Sequence, residues 1–258
     1  MLDQFFLTDV AVLKNLIKAA NLTKTDQVLE IGAGSGIVTK EIAQKAGKVL
    51  AVEIDRKFTE ELKKVPGCIQ LIFADALKVV KNTRKYPLKY NKIIGSLPSS
   101  IVEPLINILK KRNFELAVFL VPEKFAYKLV NNPFYNAYFK VELIKKVLKN
   151  SFRPVPRTNW EIIVLNKIID PLEKGDIKSF VYQYFCEHPK AKLKNSLMAA
   201  IIKIFAAKGK NLTKNQARKI VAEAEADKRI LNSSSLNLLA FSKTIENLIR
   251  ITKISSIV

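Results

Sequence analysis

Histidine and cysteine are scarce in this chain of 258 residues, which contains one His and two Cys. Cys68 and Cys186 are far apart in the sequence and neither belongs to a CxxC motif. The sequence therefore offers neither the ligand spacing of a structural zinc site nor a disulfide framework. We expect no metal site, and a reducing compartment such as the cytoplasm.

Long apolar stretches are also missing. The longest, from Leu197 to Ala207, has 11 residues and is interrupted by Lys203, whereas a membrane-spanning helix needs about 20 apolar residues. The first residues contain no basic leader before Asp9. We therefore expect neither a signal peptide nor a membrane span.

Acidic residues are outnumbered by basic ones. The chain contains 23 Asp and Glu and 44 Lys and Arg, which gives a net charge of +21. Residues 1–170 contribute +12 of this excess and residues 171–258 contribute +9, so neither part is a detachable basic tail. A surplus of this size favours a nucleic acid as partner over an anionic membrane. A solvated, lysine-rich surface without a partner is the alternative.

The composition, with 48% hydrophobic and 26% charged residues, is that of a globular protein. Short apolar runs alternate with amphipathic stretches over the first 120 residues, which predicts βαβ units and a mostly parallel sheet. Ligands of such sheets bind beyond the carboxyl ends of the strands. The predicted strands are Gln27–Ile31, Val49–Ile54, Ile69–Phe73, Lys92–Gly95 and Leu116–Val121, and the helices between them include Ile37–Ala46, Lys57–Lys64 and Val102–Lys111.

Two further strands, Val141–Leu148 and Glu161–Ile168, flank a loop that contains Pro154 and Pro156. They are predicted to extend the sheet as an antiparallel pair. After residue 170 the pattern becomes helical, so we predict a domain of residues 1–170 and a helical domain of residues 171–258. Its predicted helices are Ile177–Cys186, Lys192–Ala207, Lys214–Ala226 and Leu236–Ile251.

A glycine turn with the pattern GxGxG, residues 32–36, follows the first predicted strand. Glu53 and Asp75 lie at the ends of the next two strands, so all three features should meet at one sheet edge. Glu53 is placed to accept ribose hydroxyls and Asp75 an adenine amine, although each acid could instead be a helix cap. Because the turn is not GxGxxG, S-adenosylmethionine is favoured over a nicotinamide dinucleotide.

Several motifs extend this pattern: Gln4-Phe5-Phe6-Leu7, Leu29-Glu30-Ile31-Gly32-Ala33-Gly34-Ser35-Gly36, Val52-Glu53-Ile54-Asp55, Ala74-Asp75-Ala76-Leu77, Val121-Pro122-Glu123-Lys124-Phe125-Ala126 and Phe152-x-Pro154-x-Pro156. On these motifs the chain, from Gln4 to about Lys167, resembles the rRNA adenine dimethyltransferases of the KsgA type, with an archaeal character at residues 122–126. The resemblance implies a Rossmann-like S-adenosylmethionine-dependent methyltransferase sheet with a small C-terminal α-helical domain that contacts RNA or the ribosome.

The resemblance also implies the residues that bind the cofactor. It places Gly32 and Gly34 beside the methionine part, and Glu53 and Asp75 at the ribose and adenine. Phe5 stands where the family usually has His or Asn, so a polar side-chain contact is lost there. The remaining residues implied at this pocket are Gln4, Phe5, Leu7 and Ser96.

The family's catalytic motif, Asn-Leu-Pro-Tyr or Asn-Leu-Pro-Phe, reads Ser96-Leu97-Pro98-Ser99 here. In the family, the Asn side chain and the Pro carbonyl accept hydrogen bonds from the target amine, and the aromatic ring stacks on the flipped base. The Ser96 hydroxyl ends about 1 Å short of the position that the Asn amide oxygen would reach, and a misplacement of this size can cost on the order of 100-fold in rate. Ser99 cannot stack, a loss of roughly 1–3 kcal/mol.

Two aromatic residues near this motif could compensate for the lost ring. The resemblance places Phe152 near the target base, where stacking from the other side would recover part of the loss. Trp160 occupies a strand position where the family has a small residue, and core packing is favoured there over base stacking.

Basic residues cluster in the segment that leads into the proline loop, and helical RNA can be bound by such phosphate contacts. A second cluster, Lys190, Lys192 and Lys194, opens a C-terminal helix. Either cluster alone could be a solvated face. The residues expected to bind RNA are Lys145, Lys146, Lys149, Arg153 and Arg157.

The sequence therefore supports two functions. The first is dimethylation of adenines in small-subunit rRNA by a monomeric enzyme, with rRNA or the pre-ribosomal small subunit as partner and a role in ribosome biogenesis. The alternative is a catalytically weakened family member that acts as an rRNA-binding assembly factor, as the Ser96 and Ser99 changes indicate. A different methyl acceptor or a nicotinamide enzyme is a third, less favoured possibility.

Overall fold

The structure, a computed structural model, describes residues 4–224 and 238–254. The chain divides into two compact units. The first contains the residues up to Asn132 together with Phe139–Lys167, and the second contains Pro133–Tyr138 and the residues from Ile168 onward. The ends of two predicted helices, residues 225–226 and 236–237, lie outside the described residues.

The described residues of the first unit form nine strands. Seven of them form one sheet in the order β4-β3-β2-β5-β6-β9-β7, and the two shortest pair with each other. Strands β2 to β6 run parallel, whereas β9 and β7 are antiparallel to their neighbours. The strands are β1 (Phe6–Leu7), β2 (Gln27–Ile31), β3 (Lys48–Glu53), β4 (Ile69–Phe73), β5 (Lys92–Ser96), β6 (Leu116–Pro122), β7 (Phe139–Val147), β8 (Phe152–Arg153) and β9 (Trp160–Lys167).

Helices connect the strands of the first unit and make up most of the second. The first unit contains α1 (Val10–Ala19), α2 (Ile37–Lys45), α3 (Thr59–Lys63), α4 (Ala76–Lys81), α5 (Ser99–Leu109) and α6 (Glu123–Val130), with short 3₁₀ turns at Arg56–Phe58 and Lys149–Ser151. The second unit contains α7 (Pro133–Asn136), α8 (Ile177–Glu187), α9 (Leu193–Ala207), α10 (Lys214–Glu223) and α11 (Leu238–Ile254).

The central strands are buried on both faces, which explains their continuous apolar sequences. Residues 49–52 of β3 are each 1% exposed. The register sets Ile31 opposite Val52 on one side and opposite Gly95 on the other. A Cβ at Gly95 would lie 2.8 Å from the Ile31 carbonyl oxygen, so only glycine allows this approach. The predicted Rossmann-like α/β sheet and its antiparallel extension are therefore confirmed.

The second unit is held together by the apolar faces of its helices. In α9, Leu197, Ile201 and Ile204 are each 1% exposed. Helix α10 begins with a capping box in which the Thr213 and Gln216 side chains satisfy each other's backbone amides. In the described part of the chain, no helix has the length and apolar character needed to cross a membrane.

A buried ion pair joins the amino ends of β2 and β5. Lys92 Nζ lies 2.9 Å from Asp26 Oδ2, and both side chains are at most 10% exposed. Lys92 also donates to the Asn21 carbonyl, and Asp26 accepts from the Asn91 side chain at 2.7 Å. Burial alone would raise the pKa of Asp26, but the hydrogen bonds from Asn91 and Lys92 lower it to about 2.

We predict that Lys92→Met destabilises the first unit by about 3–5 kcal/mol, because it leaves the Asp26 carboxylate buried without its cation. Urea unfolding at neutral pH measures this loss. The double variant Asp26→Asn, Lys92→Met is the control and should recover part of it. The folded-state pKa of Asp26 lies below its unfolded value, so this stabilisation is present above about pH 4 and is lost as the pH falls toward 2. A Lys92→Met protein as stable as the unmodified chain would contradict the prediction.

Candidate active site

The carboxyl ends of β2, β3 and β5 border a cleft of about 160 Å³ in the first unit. Strand β1 closes one side of this cleft and the start of α5 closes another. Seven of the eight residues predicted to bind the cofactor line it, namely Gln4, Phe5, Leu7, Gly32, Gly34, Glu53 and Ser96. The eighth, Asp75, is not in its wall.

The glycine turn forms the floor of the cleft. Gly32, Gly34 and Gly36 have φ angles of +77°, +52° and +84°, a region that strains residues with a Cβ. The Gly32 and Ala33 amides both donate to the Val52 carbonyl, at 2.9 and 3.2 Å. The turn therefore leaves β2 in a fixed direction, and at Gly32 and Gly34 no side chain of the turn itself stands between the backbone and the cleft.

The Glu53 carboxylate fixes the turn from the neighbouring strand. Its Oε2 accepts from the Gly34 amide at 2.8 Å, and its Oε1 accepts from the Ile54 and Asp55 amides, both at 2.8 Å. The residue is 5% exposed and still lines the cleft. Each carboxylate oxygen can accept more than one hydrogen bond, so Glu53 can bind a ligand hydroxyl while it holds the turn.

Asp75 lies at the same edge of the sheet, two residues beyond the end of β4. Its Oδ1 accepts from the Leu77 amide at 2.8 Å and caps α4. The structure therefore uses this carboxylate as a helix cap, the alternative that the sequence left open. Its other oxygen, Oδ2, accepts no hydrogen bond within residues 4–224 and 238–254.

Glu30 is a second buried acid behind the turn, and the sequence analysis gave it no role. It is 1% exposed, and neither of its carboxyl oxygens has a hydrogen-bond partner among the described residues. The same holds for the hydroxyls of Thr39 and Ser96. Burial raises the pKa of Glu30 to about 7; the nearby Thr39 hydroxyl opposes this shift and the charge of Glu53 adds to it.

The segment Ser96-Leu97-Pro98-Ser99 connects β5 to α5. Ser96 and Pro98 line the cleft, whereas Leu97 is 1% exposed and belongs to the core. The Pro98 carbonyl accepts from the Ile101 and Val102 amides at 3.0 and 3.2 Å. The Leu97 carbonyl accepts no hydrogen bond from the described residues. Ser99 is exposed and is not in the wall of the cleft.

Three aromatic rings stand in a row beside this segment. The Trp160 ring is 5.9 Å from that of Phe5 and 4.8 Å from that of Phe152. Phe152 is fully buried and does not line the cleft, so its ring supports Trp160 and is not presented to a base in this structure. Trp160 reaches the wall of the cleft although it is only 2% exposed.

The cleft also contains apolar residues that sequence reasoning missed. Phe6 packs over the glycine turn, since its ring lies 3.5 Å from the place of a Cβ at Gly34. Ile54 lines the cleft and is 52% exposed. The sequence signal that could have identified it is an isoleucine directly after the acid that ends a strand. Among the described residues, no group of three His, Cys, Asp or Glu is arranged to hold a metal ion.

The five predicted RNA-binding residues, Lys145, Lys146, Lys149, Arg153 and Arg157, are all exposed. Two of them lie on β7, the edge strand of the sheet, near a register shift between Leu143 and Lys145. Lys146 pairs with Glu123 at 2.6 Å, which raises the pKa of its ammonium group. Arg153 lies on β8, which pairs with β1 at the side of the cleft.

We predict that Glu30→Gln removes a pH-dependent loss of stability. The pKa of Glu30 is higher in the folded chain than in the unfolded chain, so its favourable contribution is full below about pH 4.5 and is lost as the pH rises through about 7. Urea unfolding of the unmodified chain should show a decrease of up to about 3 kcal/mol over this interval that the variant lacks. Parallel pH profiles for the two proteins would contradict the assignment.

Comparison with known proteins adds independent information. The family model described as "Ribosomal RNA adenine dimethylase" matches residues 1–240. Two similar proteins are named "Probable ribosomal RNA small subunit methyltransferase A". The one from Methanococcus maripaludis (strain C7) is 31% identical over 90% of this chain and 92% of its own length. The one from Methanococcus aeolicus is 34% identical over 68% of each chain.

Solved structures support the fold. A dimethyladenosine transferase from Plasmodium falciparum superimposes with a TM-score of 0.62 at 22% identity, covering 93% of this chain and 95% of that chain. The 23S rRNA methyltransferase ErmE superimposes with a TM-score of 0.60 at 19% identity, covering 94% and 99%. With the family match across residues 1–240, the sequence identity and the shared fold, this chain belongs to the ribosomal RNA adenine dimethylase family.

Proposed function

We propose that this protein transfers methyl groups from S-adenosylmethionine to adenines of small-subunit rRNA and forms dimethyladenine. One observation carries the proposal: a glycine turn with positive φ angles, the buried Glu53 carboxylate, and Ser96 with Pro98 border a single cleft. The relatives named as small-subunit rRNA methyltransferases support the substrate class.

The residues of the cleft fit the cofactor. S-adenosylmethionine supplies an electrophilic methyl group on a sulfonium, attached to an adenosine and an amino-acid group. Gly32 and Gly34 line the cleft without a side chain that would fill it, and Glu53 can accept from ribose hydroxyls. The exposed Ile54 offers an apolar face for the adenine ring, and Asp75 Oδ2 can accept from its amine.

One buried acceptor in the wall of the cleft strengthens this fit. The Ser96 hydroxyl has no hydrogen-bond partner among the described residues, and unpaired buried polar groups are costly. A ligand that donates a hydrogen bond to it would lower that cost. We assign Ser96, together with the glycine turn, to the methionine end of the cofactor.

In the reaction, the protein orients the target amine. Ser96 and one backbone carbonyl accept hydrogen bonds from the exocyclic N–H groups, which turns the nitrogen lone pair toward the methyl group. With the cofactor bound, the amine nitrogen would form the new N–C bond as the C–S electron pair passed to sulfur, and the amine would then release a proton. A second round gives the dimethyl product.

We assign the backbone acceptor to Leu97. The Pro98 carbonyl already accepts from two amides at the start of α5, whereas the Leu97 carbonyl accepts none from the described residues. The resemblance had implied the Pro98 carbonyl. Leu97 and Pro98 then have different roles: Leu97 supplies an acceptor, and Pro98 forms the wall and caps the helix.

For the RNA partner, we propose that the exposed cations on β7 and the following loop bind phosphates beside the cleft, and that residues 171–258 form a helical RNA-contacting domain. Lys145, Lys149 and Arg157 are exposed, which suits phosphate contacts. The alternative function, an rRNA-binding assembly factor, would use the same RNA contacts and differ from the enzyme only in having no methyl transfer. Ser96 still offers an acceptor at the cleft, which favours the enzyme.

The test is methyl transfer to small ribosomal subunits that lack the modification. With labelled S-adenosylmethionine, we expect dimethyladenosine in the digested rRNA. Gly32→Asp is the control, since its φ of +77° and its place in the cleft make a charged side chain unfavourable there. Circular dichroism checks that the variant is folded. Label no higher than that of the folded control would contradict the proposal.

We predict that restoring the family motif raises the rate. Ser96→Asn should increase kcat/KM by on the order of 100-fold, because the longer amide reaches the amine. Ser99→Tyr should increase it about 5- to 150-fold through base stacking.

Ser99→Leu is the matched control for Ser99→Tyr, because it adds bulk without an aromatic face. Its increase in kcat/KM should be smaller than that of the tyrosine variant. If neither Ser96→Asn nor Ser99→Tyr raises the rate in folded protein, the assigned roles of these positions are wrong.

A further inference from the structure

A second concave region of the first unit lies at the opposite edge of the sheet. There, residues 82–91 connect α4 to the amino end of β5, beside the carboxyl end of α5. Two cavities of about 410 and 540 Å³ occupy this region, and both are lined by Thr83 and Tyr86. Their exposed cations define what we call the amino-edge basic surface: Lys78, Lys81, Arg84, Lys85, Lys89 and Lys111.

The charge of this surface is uncompensated. No Asp or Glu lines either cavity. None of the six cations forms an ion pair with an acidic group of residues 4–224 or 238–254. Six exposed cations without counter-charges repel one another, and an anionic partner relieves that repulsion.

Backbone hydrogen bonds hold the surface in shape. The Asn82 side chain accepts from the Lys85 amide at 3.0 Å, and the Asn82 carbonyl accepts from the Tyr86 amide at 2.9 Å. Arg112 donates to the carbonyls of Val80 and Lys81, both at 2.8 Å, and so caps the end of α4. The cations therefore project from an ordered segment, and little ordering is needed before a partner binds.

The surroundings favour RNA over a membrane. Amphipathic segments that bind a membrane surface combine cations with apolar side chains that enter the lipid. The exposed large apolar residues of the described chain include Val10, Ile54 and Leu148, but none lies between residues 78 and 113. A basic surface that has polar and tyrosine side chains and no exposed aliphatic ones suits the phosphates of helical RNA.

We propose that the amino-edge basic surface binds phosphates of a second, helical segment of the RNA whose adenine enters the cleft. The identity of the RNA rests on the proposed function. Lys92 and Ser96, the first and last residues of β5, are four residues apart, which separates the two edges of the sheet by roughly 13 Å. Two contacts at this distance would select folded rRNA over an isolated adenine-containing strand.

The test compares two triple variants that lower the net charge equally. Lys81→Gln, Arg84→Gln, Lys85→Gln alters the surface, and Lys14→Gln, Lys18→Gln, Lys45→Gln removes three exposed lysines outside both cavities. Binding to an unmethylated small-subunit rRNA transcript is measured by filter binding across a salt titration, without a methyl donor. We expect the first triple variant to reduce the slope of log K against log salt by about 2–3, and the second by less than about 1.

Equal slopes for the two variants would overturn the proposal. The proposal would also be overturned if the first triple variant bound RNA as the unmodified chain does but lost binding to vesicles that contain anionic lipid. That result would assign the surface to a membrane. Methylation of a short single-stranded oligonucleotide should be the same in the first variant and the unmodified chain. The binding measurement needs no turnover. Absence of methyl transfer would therefore contradict the proposed function without changing the outcome of the binding test for the amino-edge basic surface.

Discussion

The Glu53 carboxylate joins two neighbouring strands at the carboxyl edge of the sheet, and the geometry of the cleft depends on this contact. It accepts three backbone amides, one from the glycine turn and two from the segment after β3. The bond from the Gly34 amide ties the left-handed Gly34 to the end of β3 beside the cleft. The acid is thus a structural element of the turn and, in our proposal, also the acceptor for the sugar of the cofactor.

Charge is organised around the two edges of the same sheet. At the carboxyl edge, the acids Glu30 and Glu53 are buried behind and beside the cleft. At the amino edge, the buried pair of Asp26 and Lys92 fixes β2 to β5, while unpaired cations cover the surface. Buried acids therefore lie at the carboxyl edge, while the exposed cations of the amino-edge basic surface have no acidic partner among the described residues.

The sequence predicted much of the fold because burial on both faces leaves a clear signal. Strands Gln27–Ile31 and Ile69–Phe73 were predicted with the bounds that the structure gives. Strands β1 and β8 were missed because two residues show no periodicity. At the site, seven of eight predicted cofactor residues line the cleft. The remaining features of the site could not be predicted from the sequence. Trp160 packs against Phe152 through a tertiary contact, and Asp75 caps α4. No sequence pattern indicates that Glu30 has no partner among the described residues.

The most direct test of the central claim is a crystal structure of the protein with S-adenosylhomocysteine, the product form of the cofactor. The account predicts that the ligand lies across the glycine turn with its ribose hydroxyls on the Glu53 carboxylate, while the Gly34, Ile54 and Asp55 amides keep their hydrogen bonds to it. A ligand bound elsewhere, or a Glu53 side chain that contacts the turn but not the ligand, would contradict it.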